Sequence, residues 1–355
     1  MVYSFQDGHE HGVEMRLLLR AFVAALVLNV GVAWAGDFED GLAAYAQQKY
    51  PAALQKFKRA AAKGSAGAQF YLGVMHGLGE GVAPDPVAEL GWYRLAAEQG
   101  LAVAQFNLGN AYSSGQGVAP DVAEAVRWYR RAAEQGFAAA QFAVGNACVS
   151  GRGAPQDLAE ALAWYRMSAV QGYAPAQFNL GYLYDSGQGV SHDPAQAVHW
   201  YRLAAQQGDP DAQLGLGNAY RKGQGVEPDD AQAARWYALA AEQGLAVAQF
   251  NTGIAWARGQ GVAQDSAEAL RWFKMAAVQG HGSAQFHLGM SYFKGQGVAP
   301  DRVRAHLWLQ LAAASGDKEA ARQQALVVRE MTPAQIEAAQ RLASEWQART
   351  ARTPR

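Results

Sequence analysis

A segment of the form Ala-Gln-Phe-x-Leu-Gly returns along this chain, with small variations, every 36 residues, beginning at Ala68, Ala104, Ala140, Ala176, Ala212, Ala248 and Ala284. Trp92, Trp128, Trp164, Trp200, Trp236, Trp272 and Trp308 keep the same period, as do the glycines from Gly64 to Gly316. A strict period of this length is the signature of a stack. Each unit is too small to bury its apolar face alone and must bury it on its neighbours. Although the chain has 355 residues, it needs no single large core.

Each unit reads as two helices. Ala104, Leu108 and Tyr112 share one helical face. Gly109 falls mid-helix, where glycine costs about 1 kcal/mol against alanine, so its regular return predicts a close helix-helix approach. Gly115-Gln116-Gly117 stops the first helix. The second starts at a recurring Asp-x-x-Glu/Gln, as in Asp121-x-x-Glu124, Asp157-x-x-Glu160, Asp193-x-x-Gln196, Asp229-x-x-Gln232 and Asp265-x-x-Glu268. These resemble capping boxes, in which the Asp accepts from a free N–H and the Glu or Gln reaches back. Pro86 and Pro194 hold the first helical position, where a missing N–H costs nothing. The very short turn at Gly136 then requires antiparallel neighbours.

The ends depart from the pattern. Tyr45, Tyr50, Ala53, Phe57 and Ala60 fit it, but the loop between their helices is shorter, so residues 36–65 read as an N-terminal capping unit. Seven regular repeats follow over 66–316. Beyond Gly316, Thr332-Pro333-Ala334-Gln335 begins a helix whose apolar stripe is Ile336, Ala339, Leu342 and Trp346. Residues 317–348 read as C-terminal capping helices and 349–355 as a solvated tail.

The start of the chain reads as an export signal. Met15-Arg16 opens a short basic region, Ala21 to Val32 is almost wholly apolar, and Ala33-Trp34-Ala35 suits a signal peptidase. The apolar run is short for a membrane span, which needs about 20 residues. The expectation is a periplasmic or secreted protein cut after Ala35, with no transmembrane anchor after cleavage. His9-Glu10-His11 would leave with the signal. The net charge of −1 argues against a general nucleic-acid binder. One cysteine, Cys148, excludes an internal disulfide.

The full pattern Ala-x-x-x-Leu-Gly-x-x-Tyr-x-x-Gly-x-Gly-Val-x-x-Asp-x-x-x-Ala-x-x-Trp-Tyr-x-x-Ala-Ala-x-x-Gly, carried throughout by Ala104 to Gly136, resembles the Sel-one-like repeat, a relative of the tetratricopeptide repeat. Val144 and Thr252 replace its Leu, and His76, Cys148 and Trp256 its Tyr. The resemblance implies an all-α, right-handed superhelical solenoid of antiparallel helix pairs, with adaptor or scaffold roles. It also brings an old association with β-lactam hydrolysis, but through Cys-rich members.

Most recurring residues read as architecture. The tryptophans, mid-helix beside an aromatic and near Ala, read as core packing. The repeated glutamines from Gln69 to Gln285 read as donors to neighbouring backbone. Cys148 reads as a buried thiol. Gly-x-Gly lacks the Lys-Ser/Thr of a phosphate loop, and Ser315-Gly316-Asp317-Lys318 lacks the companion motifs of a serine acylase. The retained histidines show no metal-ligand spacing, so no metal and no cofactor is expected.

Variation inside a rigid repeat is the better guide. After the Leu-Gly pair come Val74, Asn110, Asn146, Tyr182, Asn218, Ile254 and Met290. A second varying set is Tyr71, Asn107, Ala143, Asn179, Gly215, Asn251 and His287. The tetratricopeptide resemblance implies that the first set lines the concave face, and Asn can pair with the backbone of an extended peptide. Lys222, Arg258 and Lys294, with Arg221 alongside, end the same helices and suit acidic partners. The expected partner site is therefore Asn110, Asn146, Tyr182, Asn218, Lys222, Arg258 and Lys294. The function expected is a scaffold or adaptor for other proteins of the bacterial envelope, not an enzyme. The alternative is an envelope enzyme acting on peptidoglycan or β-lactams.

Overall fold

The structure, a computed structural model, describes residues 35–350, so the segment before Ala35 expected to be an export signal and the last tail residues lie outside the described residues. Eighteen α-helices and no strand are found among the described residues. They fall in two compact units divided in sequence between His192 and Asp193, inside the loop of one repeat.

The first unit holds α1 (Ala35–Ala46), α2 (Tyr50–Ala62), α3 (Ala66–Leu78), α4 (Pro86–Glu98), α5 (Ala102–Ser114), α6 (Val122–Glu134), α7 (Ala138–Ser150), α8 (Leu158–Val170) and α9 (Ala174–Ser186). The second holds α10 (Pro194–Gln206), α11 (Pro210–Lys222), α12 (Asp230–Glu242), α13 (Ala246–Arg258), α14 (Ser266–Val278), α15 (Gly282–Lys294), α16 (Arg302–Ala314), α17 (Lys318–Arg329) and α18 (Pro333–Thr350). Within each unit, helices adjacent in sequence pack on one another, the pattern of an α/α solenoid.

The helix ends explain the uniform helix length. Gly115 closes α5 in the left-handed region at φ +79°, where its N–H and that of Gln116 both donate to the Ala111 carbonyl. Asp121 then accepts from the Glu124 N–H and starts α6. The capping box is only half made. The Asp121 N–H donates instead to the Tyr112 carbonyl at 2.9 Å, across the loop from its own repeat. The same bond joins Asp85 to His76, Asp157 to Cys148 and Asp265 to Trp256. With that donor taken, the acid three residues on turns outward: Glu124 and Glu268 pair with Arg127 and Arg271. Among the described residues a reciprocal box forms at α18. There Gln335 N–H donates to Thr332 Oγ1 and Thr332 N–H to Gln335 Oε1.

Inside the units the mid-helix glycines are places of contact. A Cβ on Gly109 would lie 2.6 Å from the Tyr129 ring and 3.1 Å from the Ala125 carbonyl. Gly145 meets Tyr165, Gly217 meets Tyr237 and Gly253 meets Phe273 in the same way. The residue after each Trp is thus the main filler of the pair, as the full burial of Tyr165 shows. The tryptophans divide. Trp128, Trp272 and Trp308 are buried, while Trp92, Trp164, Trp200 and Trp236 are only half-buried. The reading of the tryptophans as core packing holds for the first three and also for Trp92 and Trp164, which pack partly buried against the core. The N-terminal end of the first unit is packed by rings, with Phe57 stacked on Tyr71 at 5.1 Å. In the second unit Trp346 of α18 meets Trp308 edge-on at 5.0 Å.

The repeated glutamines form ladders within each unit. Gln105 Nε2 donates to the Ala97 carbonyl at 3.1 Å, and its Oε1 accepts from Gln135 Nε2 at 2.7 Å. Gln141 repeats this with Ala133 and Gln171, and Gln249 with Ala241 and Gln279. Each buried amide therefore ties one repeat to the next by a satisfied bond, as their invariance from repeat to repeat suggested.

One cap carries a pH signature. Asp209 starts α11 and accepts from the Ala212 N–H at 2.8 Å, where other repeats place Leu101, Phe137 or Leu245. Burial pushes its carboxyl from the ordinary 3.8 up to about 6. Between those values the folded chain holds a proton that the unfolded chain has released, so stability falls as pH rises from about 4 to 6. Asn caps equally well without a charge. The Asp209→Asn variant is therefore expected to be more stable at pH 7 by about 1–2 kcal/mol, with the advantage vanishing near pH 4. Melting temperatures of both chains across that range check this; parallel curves would exclude it.

Candidate functional site

The first helices of the repeats carry the varying residues, and the structure shows what holds several of them. Tyr129 OH donates to Asn110 Oδ1 at 2.8 Å, Tyr165 OH to Asn146 Oδ1 at 2.6 Å, and Tyr237 OH to Asn218 Oδ1 at 2.8 Å. Each half-buried Asn thus supplies the acceptor for a nearly buried hydroxyl of its own repeat. Where the second helix carries Phe273 or Leu309, the first carries Ile254 or Met290. In five of the seven repeats these positions therefore match the residue beneath them, while Val74 and Tyr182 stand over Tyr93 and Tyr201 without an Asn. That matching was legible in the sequence at a separation of 19 residues, but only a bond between the two positions gives it meaning.

In the first unit, Asn179 Nδ2 also donates to Asn146 Oδ1 at 3.3 Å, joining two repeats. Asn146 Nδ2 and Asn179 Oδ1 are left buried without a partner among the described residues. Tyr182 stands half-buried on α9. The last turns here carry Ser114, Ser150 and Ser186, whose hydroxyls donate to the carbonyls of Asn110, Asn146 and Tyr182. These side chains give the unit a run of amides and hydroxyls, with the exposed Asp185 beside them on α9.

The second unit differs. An open cleft of about 330 Å³ lies along α11, α13 and α15, with α12 behind it. Phe250 and Ile254 give it an apolar wall, and Asn251 and His287 bring in the second varying set. Arg221 and Arg258 line it as well. Arg221 Nε donates to Tyr237 OH at 3.1 Å, the hydroxyl already bound to Asn218, so the three form a chain. Phe250 stacks on His281 at 4.8 Å, and Phe273 stacks on His287 at 5.1 Å. Burial and the nearby Arg258 charge hold the His287 imidazole below its ordinary range, which keeps it neutral at physiological pH.

Of the seven expected site residues, Arg258 lines this cleft and Asn218 reaches it through Tyr237. Lys222 and Lys294 end α11 and α15 exposed and outside the lining, where they complement helix C-termini. Arg221, also exposed, takes the place given to Lys222: one residue along a helix is a rotation of about 100°, which turns it toward the cleft.

Nothing among the described residues favours catalysis. Ser315 Oγ donates to the Ala312 carbonyl at 2.7 Å. Burial and Glu160 push the buried Cys148 thiol up to about 11. No group of three or more metal-ligating side chains lies together, and no helix is long and apolar enough to cross a membrane, among the described residues.

Antiparallel helix pairs at a fixed period define an α/α repeat protein of the interaction-scaffold class. The chain belongs to the Sel1 repeat family, whose pattern matches residues 66–101, 102–137, 138–173, 174–209, 210–245, 246–281 and 282–317. It is similar to the crystal structure of a Sel1 repeat protein from Oxalobacter formigenes, at 36% identity and a TM-score of 0.62 over 68% of this chain and 97% of that one. It is also similar, at 29% identity and a TM-score of 0.43 over 94% of this chain and 85% of that one, to a protective antigen of uropathogenic Escherichia coli strains displaying an SLR fold. No curated protein matches the chain significantly. Sel1 repeat proteins are generally protein-interaction scaffolds.

Proposed function

We propose that this protein is an exported interaction scaffold of the bacterial envelope, with its partner docked on the face of the first helices. The observation that carries this reading is the cleft of the second unit, where residues from both varying sets meet two arginines and an apolar wall. The basic and apolar segment ending at Ala35 supports export. In the first unit, Asn110, Asn146 and Tyr182 at the equivalent positions are proposed to contact the partner as well.

Photoreactive residues placed at Ile254 and at Tyr182 in living cells test the docking face. Both should capture the same protein, whereas one placed at Met275, exposed on the second helix α14, should not. Equal capture at Met275, or none at Ile254, would move the partner to the other face. Intact mass of the periplasmic fraction should show Gly36 as the first residue. An uncleaved cytoplasmic product would remove the envelope from the proposal.

A further inference from the structure

Arg221 and Arg258 come from the ends of successive first helices and line one cleft. Neither has a carboxylate within ion-pair distance among the described residues, whereas Arg127, Arg130, Arg271 and Arg302 each pair with one. Arg221 is held by Tyr237 OH, which orients its guanidinium without neutralising it. The one acid in the lining, Asp230, sits in the first turn of α12, where the helix N-terminus stabilises its charge. The cleft therefore keeps a positive excess. Beside the charges stand Phe250 and Ile254, and Asn251 offers both a donor and an acceptor.

A small inorganic anion would use the arginines and leave the apolar wall bare. A nucleic acid would need a broad basic surface, and the chain as a whole is near neutral. A peptide carrying a carboxylate next to an apolar side chain uses every group. Resting on the scaffold reading above, we infer that the second unit recognises an acidic peptide segment of its partner. Arg221 and Arg258 take an Asp or Glu side chain, Phe250 and Ile254 take the apolar residue beside it, and Asn251 pairs with the peptide backbone. Guanidinium forks suit carboxylates bidentately, so the contact selects as well as attracts.

Selection of a random peptide library displayed on phage against the full chain tests this. Enriched peptides should carry Asp or Glu beside a large apolar residue. The best of them, labelled and titrated by fluorescence anisotropy, should bind Arg258→Gln about tenfold more weakly or worse. Binding should weaken further in Arg221→Gln/Arg258→Gln and fall with added salt. Lys222→Gln/Lys294→Gln, which removes equal charge outside the cleft, should bind as the parent does. Arg258 makes no side-chain bond within the fold, so its variant should keep the parent's helical circular dichroism. Enriched peptides without acids, or acidic ones bound equally by the arginine variants, would overturn the inference and leave the scaffold reading standing. Equal weakening by the lysine pair would overturn it too, as mere net charge. Enrichment of no peptide at all, with inorganic phosphate bound instead, would overturn both.

Discussion

The Gly261→Ala variant is expected to lose about 2–5 kcal/mol of stability, a large effect for one methyl group. Two causes add. Gly261 sits at φ +72°, where a side chain costs about 1–2 kcal/mol. Its added Cβ would also lie 2.0 Å from the Asp230 carbonyl oxygen and 2.3 Å from its carbon. Those atoms are backbone at the start of α12 in the preceding repeat, so no rotamer change relieves the clash. The loop itself must lift, and overpacking of that kind costs about 1–3 kcal/mol. Gly259, two residues earlier, separates the terms. Its φ is +68°, but its Cβ would come no closer than 3.3 Å to Gln264 Cβ. Gly259→Ala should therefore cost only about 1–2 kcal/mol. Urea unfolding followed by far-ultraviolet circular dichroism compares the two. Equal losses would mean that the second glycine of Gly-x-Gly serves only its own turn and does not dock on the previous repeat.

Two mid-helix glycines should respond to the same substitution with opposite signs. Gly91 lies in α4 with nothing within 4 Å of its missing Cβ, so Gly91→Ala should stabilise by about 0.5–1 kcal/mol through helix propensity alone. Gly109→Ala gains the same propensity but drives a methyl to 2.6 Å from the Tyr129 ring and 3.1 Å from the Ala125 carbonyl. Its net effect should be a loss of about 1–3 kcal/mol. Tyr129→Ala removes the closer obstacle at a large cost of its own, leaving the Ala125 carbonyl at 3.1 Å, and in that background the loss from Gly109→Ala should shrink or turn into a gain. That shift in this double-mutant cycle identifies contact as the cause. A Gly109→Ala chain as stable as the parent would show that α5 and α6 can move apart freely.

The helix pairs could be read from the chain because three independent signals, glycine stops, aspartate caps and the Trp period, agree in every repeat. What could not be read is which of two equally periodic neighbours faces inward. Trp164 and Tyr165 recur together, yet Tyr165 is fully buried and Trp164 half-buried. Lys222 and Arg221 are likewise adjacent, and only Arg221 enters the cleft. Period fixes spacing along the axis but leaves rotation about it open, and rotation decides which side chain meets a ligand. The half-made capping boxes fail to show for a related reason. The carbonyl that takes the Asp121 N–H lies on Tyr112, before the loop, where local sequence rules do not look.

The bond between Asn110 and Tyr129 bears on how such a surface changes over generations. A repeat that presents Asn over Tyr and one that presents Ile over Phe, as at Ile254 and Phe273, differ at two positions that single mutations must visit in turn. If Asn changes first, the hydroxyl beneath is stranded in a nearly buried site, which costs about 1–3 kcal/mol. If Tyr changes first, the stranded group is the carbonyl of a half-exposed Asn, which water can serve. The ancestral path between the two kinds of repeat therefore runs through Asn over Phe. A laboratory lineage selected for a new partner should acquire its hidden substitution before its visible one.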